Sequence, residues 1–164
     1  MDIAISLRMI LDIALAMALG GAIGLERELK DRPAGFRTHM LVAGAAALLA
    51  CIGQLILADP RFNTSDEVTM DPLRMVEAVV AGVAFIGAGT IFAQRGEAAV
   101  VGITTAASLL MVAIIGVSVG FRYYVIAAGA SVLTLLVLAV LQWMERRLSG
   151  NAPEDAKDDA GTQR

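Results

Sequence analysis

Polar and apolar positions in this chain fall into long blocks. They do not follow the short periodic alternation of a soluble fold. Five apolar runs, at roughly residues 9–25, 40–58, 75–93, 98–120 and 123–144, are separated by short charged or turn-forming segments. A helix needs about 20 mostly apolar residues to cross the hydrocarbon core of a bilayer. Lipid offers no partner to an exposed backbone amide, so each run is predicted to be helical. The predicted fold class is all-α: a polytopic transmembrane bundle of about five helices, forming one domain over residues 1–148.

The gaps carry local signals. Arg32-Pro33-Ala34-Gly35 reads as a turn, with Thr38 as the cap of the second helix. Asp71 before Pro72 reads as an N-cap acid with proline at the first helical position. Only Phe121 and Arg122 separate the last two runs, which predicts a tight antiparallel pair. Residues 149–164 are rich in Gly, Asp, Glu and Lys and are predicted to be a disordered cytoplasmic tail. Ala14-Leu15-Ala16 is shaped like a signal-peptide cleavage site. Asp12 interrupts that apolar run, however, and Glu26-Arg27-Glu28 reads as the charged stop of a retained helix.

Composition agrees with this picture. Hydrophobic residues make up 57% of the 164, and charged residues only 18%, against about a quarter in soluble domains. The net charge of −3 owes much to the tail, and no basic stripe with interleaved aromatics points to nucleic acid. Cys51 stands alone, which excludes a disulfide framework or a cysteine zinc site. There is no Gly-x-Ser-x-Gly, His-Glu-x-x-His or phosphate loop, and Ser108, Ser118 and Ser131 have no base near them in sequence, so an enzyme is not predicted. Positive charge sets the orientation. Five spans place Arg27, Lys30, Arg32, Arg37, Arg95, Arg146, Arg147, Lys157 and Arg164 on one side, and Arg8, Arg61, Arg74 and Arg122 on the other. The richer side is predicted to be cytoplasmic, with the C-terminus there and the N-terminus external.

Three groups of residues need an explanation. Asp12 and Glu77 are carboxylates inside spans, where an ionised group costs roughly 2.5–3.5 kcal/mol at the helix centre. They are expected either to pair locally, with Arg8 and Arg74, or to line an external polar cavity with Asp71. Such a cavity would relay a proton or hold a cation such as magnesium, which needs few carboxylates. Glu26, Arg27, Arg37, Thr38 and His39 close the first helix and open the second. Glu26 with Arg37 is the expected ionic staple, and a gate or docking surface is the functional alternative. Thr104 and Thr105 either bond their own backbone or face Gly87 and Gly89 along a polar track. Gly20, Gly24, Gly82, Gly87 and Gly89, with the Gly116–Gly120 pair, form small-residue faces that let helices approach closely, within the chain or against a partner.

Three stretches taken together resemble the MgtC/SapB family. The first is Gly-Ala-Ile-Gly-Leu-Glu-Arg-Glu at 21–28 with Ala-Gly-Phe-Arg-Thr-His at 34–39. The second is Asp-Pro-Leu-Arg at 71–74 with Gly-Val-Ala-Phe-Ile-Gly-Ala-Gly-Thr-Ile at 82–91, and the third is Gly-Ile-Thr-Thr-Ala-Ala at 102–107. The resemblance covers about residues 8–125. It implies a bacterial inner-membrane protein linked to magnesium limitation and, in pathogens, to survival inside host cells. It also implies, in some members, regulation through binding of another membrane protein such as the ATP synthase. Longer members carry a soluble C-terminal domain, so this chain is expected to be the membrane domain alone. Ala84 stands where members of the family commonly have glycine, and Leu110 where some have tryptophan. No cofactor is expected beyond magnesium as a candidate ligand. The expected partners are the lipid bilayer and either another membrane protein or a second copy.

Overall fold

The computed structural model describes residues 3–61, 71–92 and 102–149, with the side chains of 141–149 excepted. It contains five helices: α1 (Ile3–Glu28), α2 (Phe36–Ala58), α3 (Pro72–Phe92), α4 (Ile103–Gly120) and α5 (Tyr124–Ser149). The first four are long and apolar enough to cross a membrane, and α5 is apolar over Tyr124–Val140. The chain is a multi-pass membrane protein. Ser149, expected to begin the tail, is instead the last residue of α5, and the rest of the tail lies outside the described residues.

Helix α4 is the hub and contacts all four other helices. Helices α1 and α2 form an antiparallel hairpin against one side of it, α3 packs on another, and α5 folds back along it. Helices α1 and α3 share no contact. Apolar burial does not drive helices together in lipid, so close van der Waals packing must, and glycine permits it here. A Cβ on Gly20 would lie 2.6 Å from Ala43 Cβ and 2.7 Å from the His39 carbonyl oxygen. A Cβ on Gly24 would lie 2.8 Å from Phe36 Cα, and one on Gly116 only 2.2 Å from the Ala43 carbonyl oxygen. Helix α2 is thus clamped backbone to backbone between α1 and α4. Helix α3 sits more loosely: Val79, Val83 and Gly87 face inward, and Gly82 and Gly89 have nothing within 4 Å of an added Cβ.

Helix ends follow local chemistry, with one correction. Asp71 caps α3 through its Oδ1, which accepts from Leu73 N at 2.9 Å. Helix α2 is capped elsewhere than expected. Gly35 holds the N-cap position and Glu28 reaches across the loop, accepting from Phe36 N at 2.7 Å, so Thr38 already lies inside the helix. A carboxylate beside a helix N-terminus also complements its dipole. Helix α4 runs from Ile103, after Gly102, which has φ +103° and closes against the Thr90 carbonyl oxygen; residues 98–101, expected to open this helix, lie outside the described residues. The α4–α5 turn is a Schellman motif: Tyr123 N donates to Ser118 O and Arg122 N to Val119 O, both at 2.8 Å. Its left-handed residue is Arg122, at φ +65°, where glycine is usual.

Candidate functional site

Two buried polar layers stand at opposite ends of the α1/α2/α4 core. Their separation along α1, from Asp12 to Arg27, is about 22 Å at 1.5 Å per residue. Between them, Ala16, Ala43, Ala47 and Val112 are fully buried at the closest helix approaches.

The layer at the α1–α2 loop end gathers residues from three helices. Arg27 is 2% exposed, and its Nη2 donates to Thr105 Oγ1 on α4 at 3.1 Å. His39 is fully buried, with Nδ1 2.9 Å from the Gly35 carbonyl oxygen and Nε2 3.1 Å from Ser108 Oγ. The carbonyl only accepts, so Nδ1 carries a proton. With a neutral ring, Nε2 then accepts from Ser108. That hydroxyl also lies 2.8 Å from the Thr105 carbonyl oxygen, so a single proton faces two acceptors. Glu26 pairs with Lys30, one turn along the same helix, and not with Arg37. Glu26 Oε2 and Arg27 Nε are buried without a hydrogen-bond partner. Unsatisfied buried polar atoms are rare and costly in folded proteins.

The second layer lies at the α4–α5 turn end. Asp12 is 5% exposed, and its Oδ1 accepts from the Tyr124 hydroxyl at 2.8 Å. Its Oδ2 has no hydrogen bond and lies 3.7 Å from Arg122 Nε. Gln54 Nε2 donates to the Gly120 carbonyl oxygen beside it. Tyr124→Phe is expected to destabilise the protein by about 1–2 kcal/mol, because it strips a buried carboxylate of its hydrogen bond. Denaturant unfolding in micelles would measure it. Asp12→Asn in the same background should recover part of the loss.

The cavity expected between Asp12 and Glu77 does not form. Helices α1 and α3 do not touch, and Glu77 is exposed on the outer side of α3. Arg74 and Asp71 are exposed at the α3 start, beside a cleft of about 300 Å³ against Gly53 and Met75. Neither Arg8–Asp12 nor Arg74–Glu77 is an ion pair among the described residues; Asp12 meets Arg122 instead. The polar track with Gly87 is also absent. Gly87 faces Ala106, Thr105 turns to Arg27, and Thr104 lines an almost wholly apolar cleft of about 350 Å³ between α4 and α5. No three His, Cys, Asp or Glu side chains converge among the described residues. At the α2–α3 link, Asp59 is bound by Arg61 through several hydrogen bonds, which pull its carboxyl down to about 2.

Nothing in the sequence marks Ser108, Tyr124 and Gln54 as site residues, and Arg122 reads there only as a loop charge. Their contacts join residues 66 to 112 positions apart, and no periodicity signals such pairs.

The MgtC family matches the chain over residues 13–147. A protein of Escherichia coli strain K12 named "Putative magnesium transporter YhiD" is 40% identical over 139 residues, which is 85% of this chain and 63% of that protein. Protein SapB of Bacillus subtilis is 32% identical over 139 residues, covering 85% of this chain and 59% of its own. Protein MgtC of Brucella abortus is 37% identical over 130 residues, covering 79% and 50%. The chain thus spans roughly half to two thirds of the length of these curated relatives. No solved structure matches it.

Proposed function

This chain belongs to the MgtC family, and on that premise we propose that it is a non-catalytic bacterial inner-membrane protein of magnesium adaptation, acting by docking another membrane protein on the outer face of α3. The observation that carries the reading is that face. Glu77, Ala81 and Phe85 recur at four-residue spacing on α3 and are all exposed, Phe85 by 83%. Gly82 and Gly89 flank them with open space above, so a partner helix could approach closely. Glu77 lies five residues past the start of α3. An ionisable group turned toward lipid there is costly unless something pairs with it. The clamped α1/α2/α4 core argues against an ion path along its axis, since helices in backbone contact leave no room for one.

A second reading, cation or proton binding at Asp12, draws on its unpartnered Oδ2 and on the name of the relative YhiD. Arg122 at 3.7 Å opposes a cation there. The orientation proposed is N-terminus external and C-terminus cytoplasmic, on the balance of Lys and Arg.

Two measurements separate the readings. Photocrosslinkers at Ala81 and Phe85 in intact membranes are expected to capture a second membrane protein, and purified protein in liposomes to move neither magnesium nor protons above empty vesicles. Flux with crosslinks confined to lipid would overturn the docking reading. Gly82→Leu, whose Cβ has nothing within 4 Å, should change stability by no more than about 1 kcal/mol yet abolish growth in low magnesium.

A further inference from the structure

The geometry points to a binding site for a phosphate-bearing anion, an anionic phospholipid head group, in the cavity between the ends of α1 and α2 and the α4–α5 turn. This cavity of about 400 Å³ is lined by Arg8, Gln54 and Arg122, with Ile5, Met9 and Leu55 among its apolar walls. It is independent of the α3 face.

Charge decides the ligand class. Two guanidiniums line one cavity whose lining holds no carboxylate, and Asp12, 3.7 Å from Arg122 Nε, is buried and committed to Tyr124. Arg8 makes no ion pair among the described residues. Arg122 has, among the described residues, a single long ionic contact, to Asp12, and keeps more than a third of its side chain exposed. Among the described residues the lining carries two positive charges and no negative one, so it repels cations and attracts anions. Guanidinium forks match phosphate oxygens in geometry as well as in charge.

Position decides the source. The lining residues sit near the start of α1, in the last turns of α2 and at the α4–α5 turn. In a membrane-spanning bundle these ends lie at head-group depth. The cavity couples a cationic rim to an apolar wall, so a phosphate can rest on the arginines while the start of an acyl chain follows Ile5 and Leu55. A free phosphate would use only the rim. Arg122 holds a left-handed backbone that glycine adopts at no cost, so the turn itself does not need an arginine there.

The test uses the full chain in nanodiscs of phosphatidylcholine with and without phosphatidylglycerol, read by native mass spectrometry of retained lipid. Wild type should retain phosphatidylglycerol over phosphatidylcholine by about tenfold, and Arg8→Gln should lose most of that preference, the effect of removing one charge-assisted contact. Arg8 is exposed, so this variant keeps the fold. Arg122→Gly, which suits the turn, should act in the same direction. Soluble glycerol phosphate distinguishes the sources. Protection against thermal unfolding by glycerol phosphate, lost in Arg8→Gln and without lipid preference, would keep the anion site and assign it to a free phosphate. Equal retention of both lipids with no glycerol phosphate effect, or an undiminished preference in both variants, overturns the proposal.

Discussion

Gly116→Ala is expected to destabilise the folded bundle by about 3 kcal/mol or more, the upper end of overpacking costs. The new Cβ would lie 2.2 Å from the Ala43 carbonyl oxygen and 2.9 Å from its carbon. Those are backbone atoms in the middle of α2 and cannot rotate away. Relief to ordinary contact, at 3.4 Å or more, requires α2 and α4 to part by over an ångström. Helix α2 is held on its other side by Gly20 and Gly24 of α1, so the shift would propagate through the hairpin. Alanine's better helix propensity, about 1 kcal/mol over glycine, offsets only part of this cost. Gly82→Ala and Gly89→Ala are the controls, since each Cβ meets nothing within 4 Å. They should change stability by no more than about 1 kcal/mol, in the stabilising direction. Unfolding of all three in mixed micelles decides the matter. If Gly116→Ala behaves like Gly82→Ala, the helices are not in backbone contact and the sealed core fails with it.

The contrast among these glycines shows where sequence reading stops. Small residues at four-residue spacing mark a face suited to close approach, and Gly20, Gly24, Gly82 and Gly89 look alike by that measure. Which of them meets a neighbour depends on how each helix is rotated, and that is a tertiary fact. Helix number and approximate bounds were legible because lipid demands continuous apolar helices. The Asp71–Pro72 start was legible because the cap bonds two residues away. The α2 cap was not, since Glu28 reaches it across eight residues and displaces the local candidate Thr38. Depth along the helix suggested that Asp12 and Glu77 belong together. Rotation about the helix axis sends one into the core and the other out of it. Asp12 found Tyr124, 112 residues on, because the α4–α5 turn brings α5 back beside α1.

Arg27→Met is expected to leave the protein folded and to remove its function. Arg27 is a buried guanidinium with no ion pair among the described residues, and Glu26 beside it is taken by Lys30. One of its nitrogens bonds Thr105 and another has no partner. Replacing a buried, poorly compensated charge with an apolar side chain of similar length is often neutral or stabilising. Methionine is flexible enough to fill the space. Stability should therefore change by less than about 1 kcal/mol, while growth in low magnesium falls to that of cells lacking the protein. Arg27→Lys refines the point. Lysine keeps the charge but not the planar fork that reaches Thr105, so failure of Lys assigns the role to geometry and rescue assigns it to charge. Thr105→Val tests the same bond from α4. If Arg27→Met accumulates to wild-type levels and grows normally, the layer at the α1–α2 loop end has no functional role. If it fails to accumulate, Arg27 holds three helices together, and the unsatisfied atoms beside it reflect imperfect packing.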